Sequence, residues 1–186
     1  MTEGLTILGF AGSLRKGSYN KALLRAAKDL LPPGTRLEIF DLEGIPAFNQ
    51  DLENSVPEKV REFKAKIRAA DALLIATPEY NYSVPGVLKN AIDWASRPYG
   101  DSAFEGKPVA MMSASIGMLG GVRAQYHLRQ IFVFLDMHPI NRPEVMMPLA
   151  ADKVNSSGVV TDETTRGLVR DLLKNLVAWT IKLKTV

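Results

Sequence analysis

Five short apolar segments recur along the chain, and longer segments of mixed polarity separate them. They cover residues 5–11, 37–40, 72–77, 108–113 and, with a weaker pattern, 144–147. Several are rich in β-branched residues, and apolar runs of this length are typical of buried β-strands. The pattern therefore predicts five short strands.

The longer segments carry apolar residues at helical spacing. They predict amphipathic helices over residues 20–31, 57–70, 85–96, 121–135 and 162–184. Strands that alternate with helices form a parallel sheet with helices on both faces, because parallel strands need crossover connections. Five strands favour the flavodoxin-like order 2-1-3-4-5 over a six-stranded dinucleotide fold. We predict a single three-layer α/β domain that spans residues 1–186.

Charge and composition narrow the possible functions. The chain has 23 basic and 20 acidic residues, which are interleaved, so its net charge is only +3. This balance disfavours a nucleic-acid or membrane partner. The absence of cysteine excludes disulfides, thiolate metal ligands and a cysteine nucleophile. The first ten residues lack the pattern of a signal peptide, so we expect a cytoplasmic protein.

Ligands of open α/β sheets bind outside the carboxyl ends of the strands, where the strand order reverses. The loop after the first strand, residues 12–20, holds two glycines and several small polar residues and leads into a helix. Such a loop can bind a phosphate monoester, with Arg15 adding charge and Ser18 or Asn20 capping the helix.

An alternative is that Ser18 is only a helix cap and that Gly12 and Gly17 only allow turns. Two other nucleotide-binding motifs are incomplete in this loop. A pyrophosphate-binding G-x-G-x-x-G needs glycine at Leu14, and a P-loop needs lysine at Ser18. The loop thus favours a terminal phosphate over a dinucleotide or a triphosphate.

The loop after the third strand, residues 78–86, carries two tyrosines, an asparagine and two prolines. Stiff aromatic loops of this kind suit a flat, amphipathic ring. The alternatives are a turn whose tyrosines pack on neighbouring residues, and, for Glu79, a solvated surface carboxylate.

The loop after the fourth strand, residues 113–121, is small and flexible. With it, the chain closely resembles the NADPH-dependent FMN reductases, including chromate and quinone reductases. The motifs that carry the resemblance are residues 12–20, 77–86, 89–94 (KNAIDW) and 106–109 (GKPV).

The resemblance implies a flavodoxin-like fold with bound FMN. Its phosphate would lie on Ser13, Arg15, Ser18 and Asn20, its ring would lie against residues 79–82, and Ser115 would be near the flavin. The complete set of predicted cofactor-binding residues is Ser13, Arg15, Ser18, Tyr19, Asn20, Pro78, Glu79, Tyr80, Asn81, Tyr82, Ser115 and Gly117. The family also implies dimers or tetramers, in which Arg123, Tyr126 and Glu144 would form a polar interface; an ordinary surface ion pair is the alternative.

We expect the flavin to carry the chemistry, with hydride passing from NADPH or NADH to N5 and then to an acceptor in ping-pong kinetics. No catalytic side chain and no metal are predicted, and His127 and His138 are each interpreted as a structural or surface residue. Arg15 is a candidate for the 2′-phosphate of NADPH. The acceptor, whether a quinone, a flavin, chromate or another small molecule, stays open. The competing hypotheses are an electron-shuttling flavodoxin and a flavin-free phosphate-binding or regulatory domain.

Overall fold

The computed structural model describes residues 4–185 and contains one parallel sheet with helices on both faces. Met1–Glu3 and Val186, which belong to the predicted domain, lie outside the described residues. The strands are β1 (Leu5–Ala11), β2 (Thr35–Phe40), β3 (Ala72–Thr77), β4 (Pro108–Ala114), β5 (His138–Pro139) and β6 (Val145–Met147). Their order is β2-β1-β3-β4-β5, with β6 also paired to β4, so the predicted flavodoxin-like order is confirmed.

Residues 4–185 contain six strands where five were predicted, because two short strands share the fifth position of the predicted order. β5 pairs with the start of β4, through Pro108 and Val109, and β6 pairs with its end, from Met112 to Ala114. Pro139 and Pro143 have no backbone N–H to donate, and proline breaks a continuous ladder. Only residues 145–147 of the predicted strand 144–147 are extended and paired.

The main helices are α1 (Tyr19–Asp29), α2 (Glu58–Ala69), α3 (Gly86–Ala95), α4 (Val122–Phe134) and α6 (Glu163–Lys184). Two short elements were not predicted: a 3₁₀ turn at Gln50–Leu52 and α5 (Ala150–Lys153). Both are at most one turn long, which is too short to show an apolar period.

Two apolar cores flank the sheet. Alternate residues of β3 enter each core: Leu74 packs with α1 and α6, whereas Ile75 packs with α2, α3 and α4. Every residue of β3 is buried, as expected for a central parallel strand covered on both faces. The carboxyl ends of β1, β3 and β4 therefore meet at one edge, where the three predicted loops begin. No helix within residues 4–185 is long and apolar enough to span a bilayer.

The last helix begins at an N-cap, Asp162, whose carboxylate accepts hydrogen bonds from the Thr165 hydroxyl (2.6 Å) and the Thr165 backbone N–H (2.8 Å). These two bonds hold the pKa of Asp162 below its usual value. The stabilisation is therefore present above the unfolded-state pKa of about 3.9 and is lost as the pH falls through the lower folded-state pKa.

Asp162→Ala should lower the free energy of unfolding by about 1 kcal/mol at neutral pH, because the cap is lost. The difference from the wild type should shrink below about pH 4, where the carboxylate takes up a proton. Urea denaturation at pH 7 and pH 3 measures both effects. Asp171→Ala, which removes the same charge from the exposed middle of α6, is the control, and equal losses in the two variants would contradict the capping role.

Candidate functional site

A cleft of about 480 Å³ opens at the carboxyl ends of β1, β3 and β4. The three predicted loops all contribute to it. Its lining residues are Ser13, Arg15, Ser18, Tyr19, Asn20, Pro78, Glu79, Tyr80, Ala114, Ser115 and Ile116. Nine of the twelve predicted cofactor-binding residues are among them; Asn81, Tyr82 and Gly117 are not. Ala114, the last residue of β4, and Ile116, in the third loop, also line the cleft but were not predicted, because neither has a polar side chain to mark it.

The first loop leaves the sheet through Gly12, whose backbone N–H donates to Ala76 O at 2.9 Å. A Cβ atom on Gly12 would lie only 2.9 Å from Cγ of Pro85 and 3.1 Å from Cβ of Leu88. Glycine is therefore required here so that the start of α3 can pack against the loop. This contact brings the first and second loops to the same side of the cleft.

Ser18 is both the N-cap of α1 and a wall of the cleft. It is buried, and its Oγ accepts from the N–H of Lys21 at 3.3 Å. The first-turn N–H groups of Tyr19 and Asn20 have no intrahelical acceptors, since they begin the helix. The positive end of the α1 dipole, together with the hydroxyls of Ser13 and Ser18, gives an anion-binding surface.

Arg15 provides the charge at this end of the cleft. Its guanidinium carbon lies 5.1 Å from the centre of the Tyr19 ring, within range of a cation–π contact. The side chain is exposed and remains available for an anion. The first loop therefore offers hydroxyls, helix N–H groups and a guanidinium, which are groups that can bind a phosphate monoester.

Asn20 connects the first loop to the third. Its Nδ2 donates to Ala114 O at 3.0 Å, and its Oδ1 accepts from Ala114 N at 2.9 Å. The side chain is 3% exposed. Both ends of the amide are thus used to join α1 to the end of β4, a positioning role that the sequence did not indicate.

The second loop makes a tight turn from Tyr80 to Ser83, whose backbone groups bond to each other at 3.1 and 3.0 Å. Both central residues have positive φ, 48° for Asn81 and 66° for Tyr82, as in a type I′ turn. This conformation is costly for tyrosine, and the surroundings must hold it. Ser83 Oγ lies 2.8 Å from Nδ1 of His127, which fixes one end of the turn to α4.

Glu79 is not a solvated surface carboxylate. Its side chain is 12% exposed, and it accepts from the guanidinium of Arg123 at 2.7 Å and from the Arg123 backbone N–H at 3.0 Å. It therefore caps the N-terminus of α4 from another element. The guanidinium also lies 3.8 Å from the centre of the Tyr82 ring. Arg123 thus supports the second loop of its own chain, whereas Tyr126 and Glu144 are exposed.

The third loop is hydrogen-bonded to the end of β6 and to the start of α5. Ser115 N–H donates to Met147 O at 3.1 Å, and Ala150 N–H donates to Ser115 O at 3.0 Å. Ser115 Oγ accepts from Gly117 N–H at 3.1 Å, which occupies the backbone donor of Gly117. These bonds hold the loop in one conformation beside the cleft.

A buried polar network, which sequence reasoning missed, supports the same loop from below. Gln125 Nε2 donates to Ser113 Oγ and to Val145 O, both at 2.8 Å, and Ser113 Oγ donates to Gly120 O at 2.6 Å. Gln125 is 1% exposed on an otherwise ordinary amphipathic helix. The sequence does not show that Gln125 is buried, because its burial depends on how α4 packs against β4 and β6.

The fold and the cleft together define a class of protein: a doubly wound α/β domain whose parallel strands end at an open cleft, lined by the first residues of α1 and by Arg15. The sequence profile of the NADPH-dependent FMN reductase family matches residues 5–152. The chain therefore belongs to this family and is an oxidoreductase, as its resemblance indicated.

Individual relatives agree over nearly the full length. An NAD(P)H-dependent FMN reductase of Pseudomonas aeruginosa is 51% identical and covers 99% of this chain and 100% of its own. An NAD(P)H:quinone oxidoreductase of Solanum tuberosum is 48% identical and covers 97% of this chain and 95% of its own. The solved structure of the flavoenzyme NAD(P)H:(acceptor) oxidoreductase FerB of Paracoccus denitrificans matches with a TM-score of 0.87 and 35% identity, covering 96% and 98% of the two chains.

Proposed function

We propose that this chain binds FMN in the cleft and uses NADPH or NADH to reduce small acceptors such as quinones, free flavins or chromate. The observation that carries the proposal is the N-terminus of α1, which opens on the cleft beside Ser13, Arg15 and Ser18. This surface fits a terminal phosphate, and the cleft volume of about 480 Å³ is ordinary for a cofactor site. Bound FMN supplies the hydride and electron chemistry.

In this proposal, the side chains and backbone groups of the cleft bind FMN and orient it. Ser13, Ser18 and the first-turn N–H groups of α1 hold the phosphate, and Arg15 neutralises its charge. Pro78, Glu79, Tyr80, Ser115 and Ile116 surround the ring, and Asn20 keeps the first and third loops at a fixed separation. Asn81 and Tyr82 form the turn at the rim, where the exposed Tyr82 ring is available to a second substrate.

The test is steady-state oxidation of NADPH and of NADH by the purified, FMN-loaded protein with a benzoquinone as acceptor. We expect turnover without any partner protein, with parallel double-reciprocal plots that indicate ping-pong kinetics. A flavodoxin-type shuttle would oxidise almost no NADPH without a partner reductase. A protein that is isolated without flavin and does not bind added FMN would contradict the whole proposal and would favour a phosphate-binding or regulatory domain.

The assembly we propose is a cytoplasmic homodimer or homotetramer of a single FMN-binding domain. Support comes from α4, which exposes 52% of Tyr126, 82% of Val133 and 75% of Phe134. Apolar side chains concentrated on one helix are typical of interaction surfaces. Arg123, Tyr126 and Glu144 would contribute polar contacts at the interface. Light scattering that gave the mass of a single chain at micromolar concentration would contradict this assembly.

A further inference from the structure

A second cleft, of about 290 Å³, lies on the other side of the first turn of α1. Ser18 and Tyr19 line both clefts, so the two are separated by a single helical turn. The remaining lining residues are Gly17, Ala22, Arg25, Val154, Asn155, Ser156 and Gly158. None of them has a part in the proposed FMN site.

The far wall of this second cleft is a rigid loop. Asn155 Oδ1 accepts from the N–H groups of Ser157 and Val159, both at 3.0 Å, and Asn155 O accepts from Gly158 N–H at 2.9 Å. A bridge between Val154 and Val160 closes the base of the loop. Asn155 Nδ2 and the Ser156 hydroxyl take no part in these bonds, so the wall offers two polar groups to a ligand.

Arg25 is the charged side chain among those that line the second cleft. Its Nη2 donates to Gly158 O at 3.0 Å, and the guanidinium has five N–H donors in all, so most stay available. The lining residues include no carboxylate that would neutralise it. A guanidinium without a neighbouring carboxylate suits a phosphate dianion, because arginine can bind two phosphate oxygens through paired hydrogen bonds.

Arg15 lies on the boundary between the two clefts. It stacks near Tyr19, and its Nη1 is 3.3 Å from the position that a Cβ on Gly17 would occupy. A ligand that reaches from the FMN cleft to the second cleft would pass this guanidinium. Each cleft therefore has one arginine: Arg15, before α1, in the first and Arg25, in the second turn of α1, in the second.

We propose that the second cleft binds the adenosine 2′-phosphate of NADPH, with Arg25 as its charged contact and Asn155 and Ser156 as polar contacts. The inference rests on the proposed function, since it assumes that the nicotinamide end enters the FMN cleft. NADPH and NADH differ only in the 2′-phosphate, so a separate cleft that recognises this group decides between the two donors. Arg15 then neutralises the FMN phosphate, and Arg25 the 2′-phosphate of NADPH.

Ser156→Asp is the sharpest test, because it places a negative charge in the cleft and leaves the bond from Arg25 to Gly158 intact. Because the added carboxylate would repel the 2′-phosphate, we expect kcat/KM for NADPH to fall at least about tenfold, while kcat/KM for NADH and the affinity for FMN stay unchanged. Arg25→Ala should lower kcat/KM for NADPH in the same way. Ser156→Asn and Lys28→Ala, which lies on α1 outside both clefts, are the matched controls.

Calorimetry makes the test independent of turnover. Adenosine 2′,5′-bisphosphate should bind the wild-type protein and bind Ser156→Asp at least about tenfold more weakly, whereas adenosine 5′-monophosphate should not distinguish them. An unchanged ratio of NADPH to NADH efficiency in both variants would overturn the inference. So would equal competition by inorganic phosphate, which would indicate a general anion site. Failure of the wild type to oxidise either nucleotide contradicts the proposed function instead, and the bisphosphate titration still tests the cleft.

Discussion

Replacing Asn20 with alanine should lower the free energy of unfolding by about 2–4 kcal/mol and weaken FMN binding at least tenfold. The reason is that the variant removes both hydrogen bonds to Ala114 and leaves a buried N–H and C=O without these partners. The same bonds set the separation of the first and third loops, so the FMN cleft should lose its shape as well. Urea denaturation and quenching of flavin fluorescence measure the two effects.

Asn20→Asp refines this test, because it keeps the size of the side chain but replaces the donating Nδ2 with a second oxygen. That oxygen would face Ala114 O, so Asn20→Asp should also be destabilised, even though one bond is retained. Asn141→Ala, at an exposed asparagine, is the control and should change neither property. If Asn20→Ala lowered the free energy of unfolding by less than about 1 kcal/mol and left the affinity for FMN unchanged, this would falsify the role of Asn20 in positioning the two loops.

Gly121→Ala should be the second severe substitution. Gly121 precedes α4 with φ of 91°, and a Cβ there would lie 2.8 Å from Cβ of Ser113 and 2.9 Å from its Oγ. Ser113 is fully buried and bonded to Gly120 O, so it cannot move away without breaking the network under the third loop. We expect the free energy of unfolding to fall by at least about 2 kcal/mol, because backbone strain and overpacking add together. We also expect a lower affinity for FMN.

Gly167→Ala is the matched control, because Gly167 lies within α6 and a Cβ there meets nothing within 4 Å. Alanine at this position should stabilise the protein by about 0.5–1 kcal/mol, since it reduces the conformational entropy of the unfolded chain. Thermal unfolding of the two variants should therefore shift in opposite directions. A Gly121→Ala variant as stable as the wild type would show that the third loop can rearrange freely.

The apolar pattern of the sequence was enough to predict the layers of the fold. Segments such as 72–77 are apolar at every position, and a strand buried on both faces needs that composition. Alternation with helices then determines the parallel arrangement and the edge at which the loops meet. The fifth sheet position was predicted incompletely, because β5 ends at Pro139, Pro143 lies between the two short strands, and neither strand is long enough to show a period.

Part of the candidate site could also be predicted from the sequence, and part could not. Turn glycines, small hydroxyl residues and a helix start are local features. The sequence alone could therefore place Ser13, Arg15 and Ser18 in one loop at the cleft, and the family motifs add the identity of the cofactor. The ion pair between Glu79 and Arg123 joins residues 44 positions apart.

Asn20 and Ala114 are 94 positions apart, and Arg25 and Gly158 are 133 apart. A hydrogen bond between residues so far apart in the sequence leaves no pattern in the residues near either partner. The sequence therefore determined the sheet, its ligand-binding edge and the class of cofactor. Tertiary packing alone decided which polar groups hold the loops in place, because these hydrogen bonds join residues that folding brings together from distant parts of the chain.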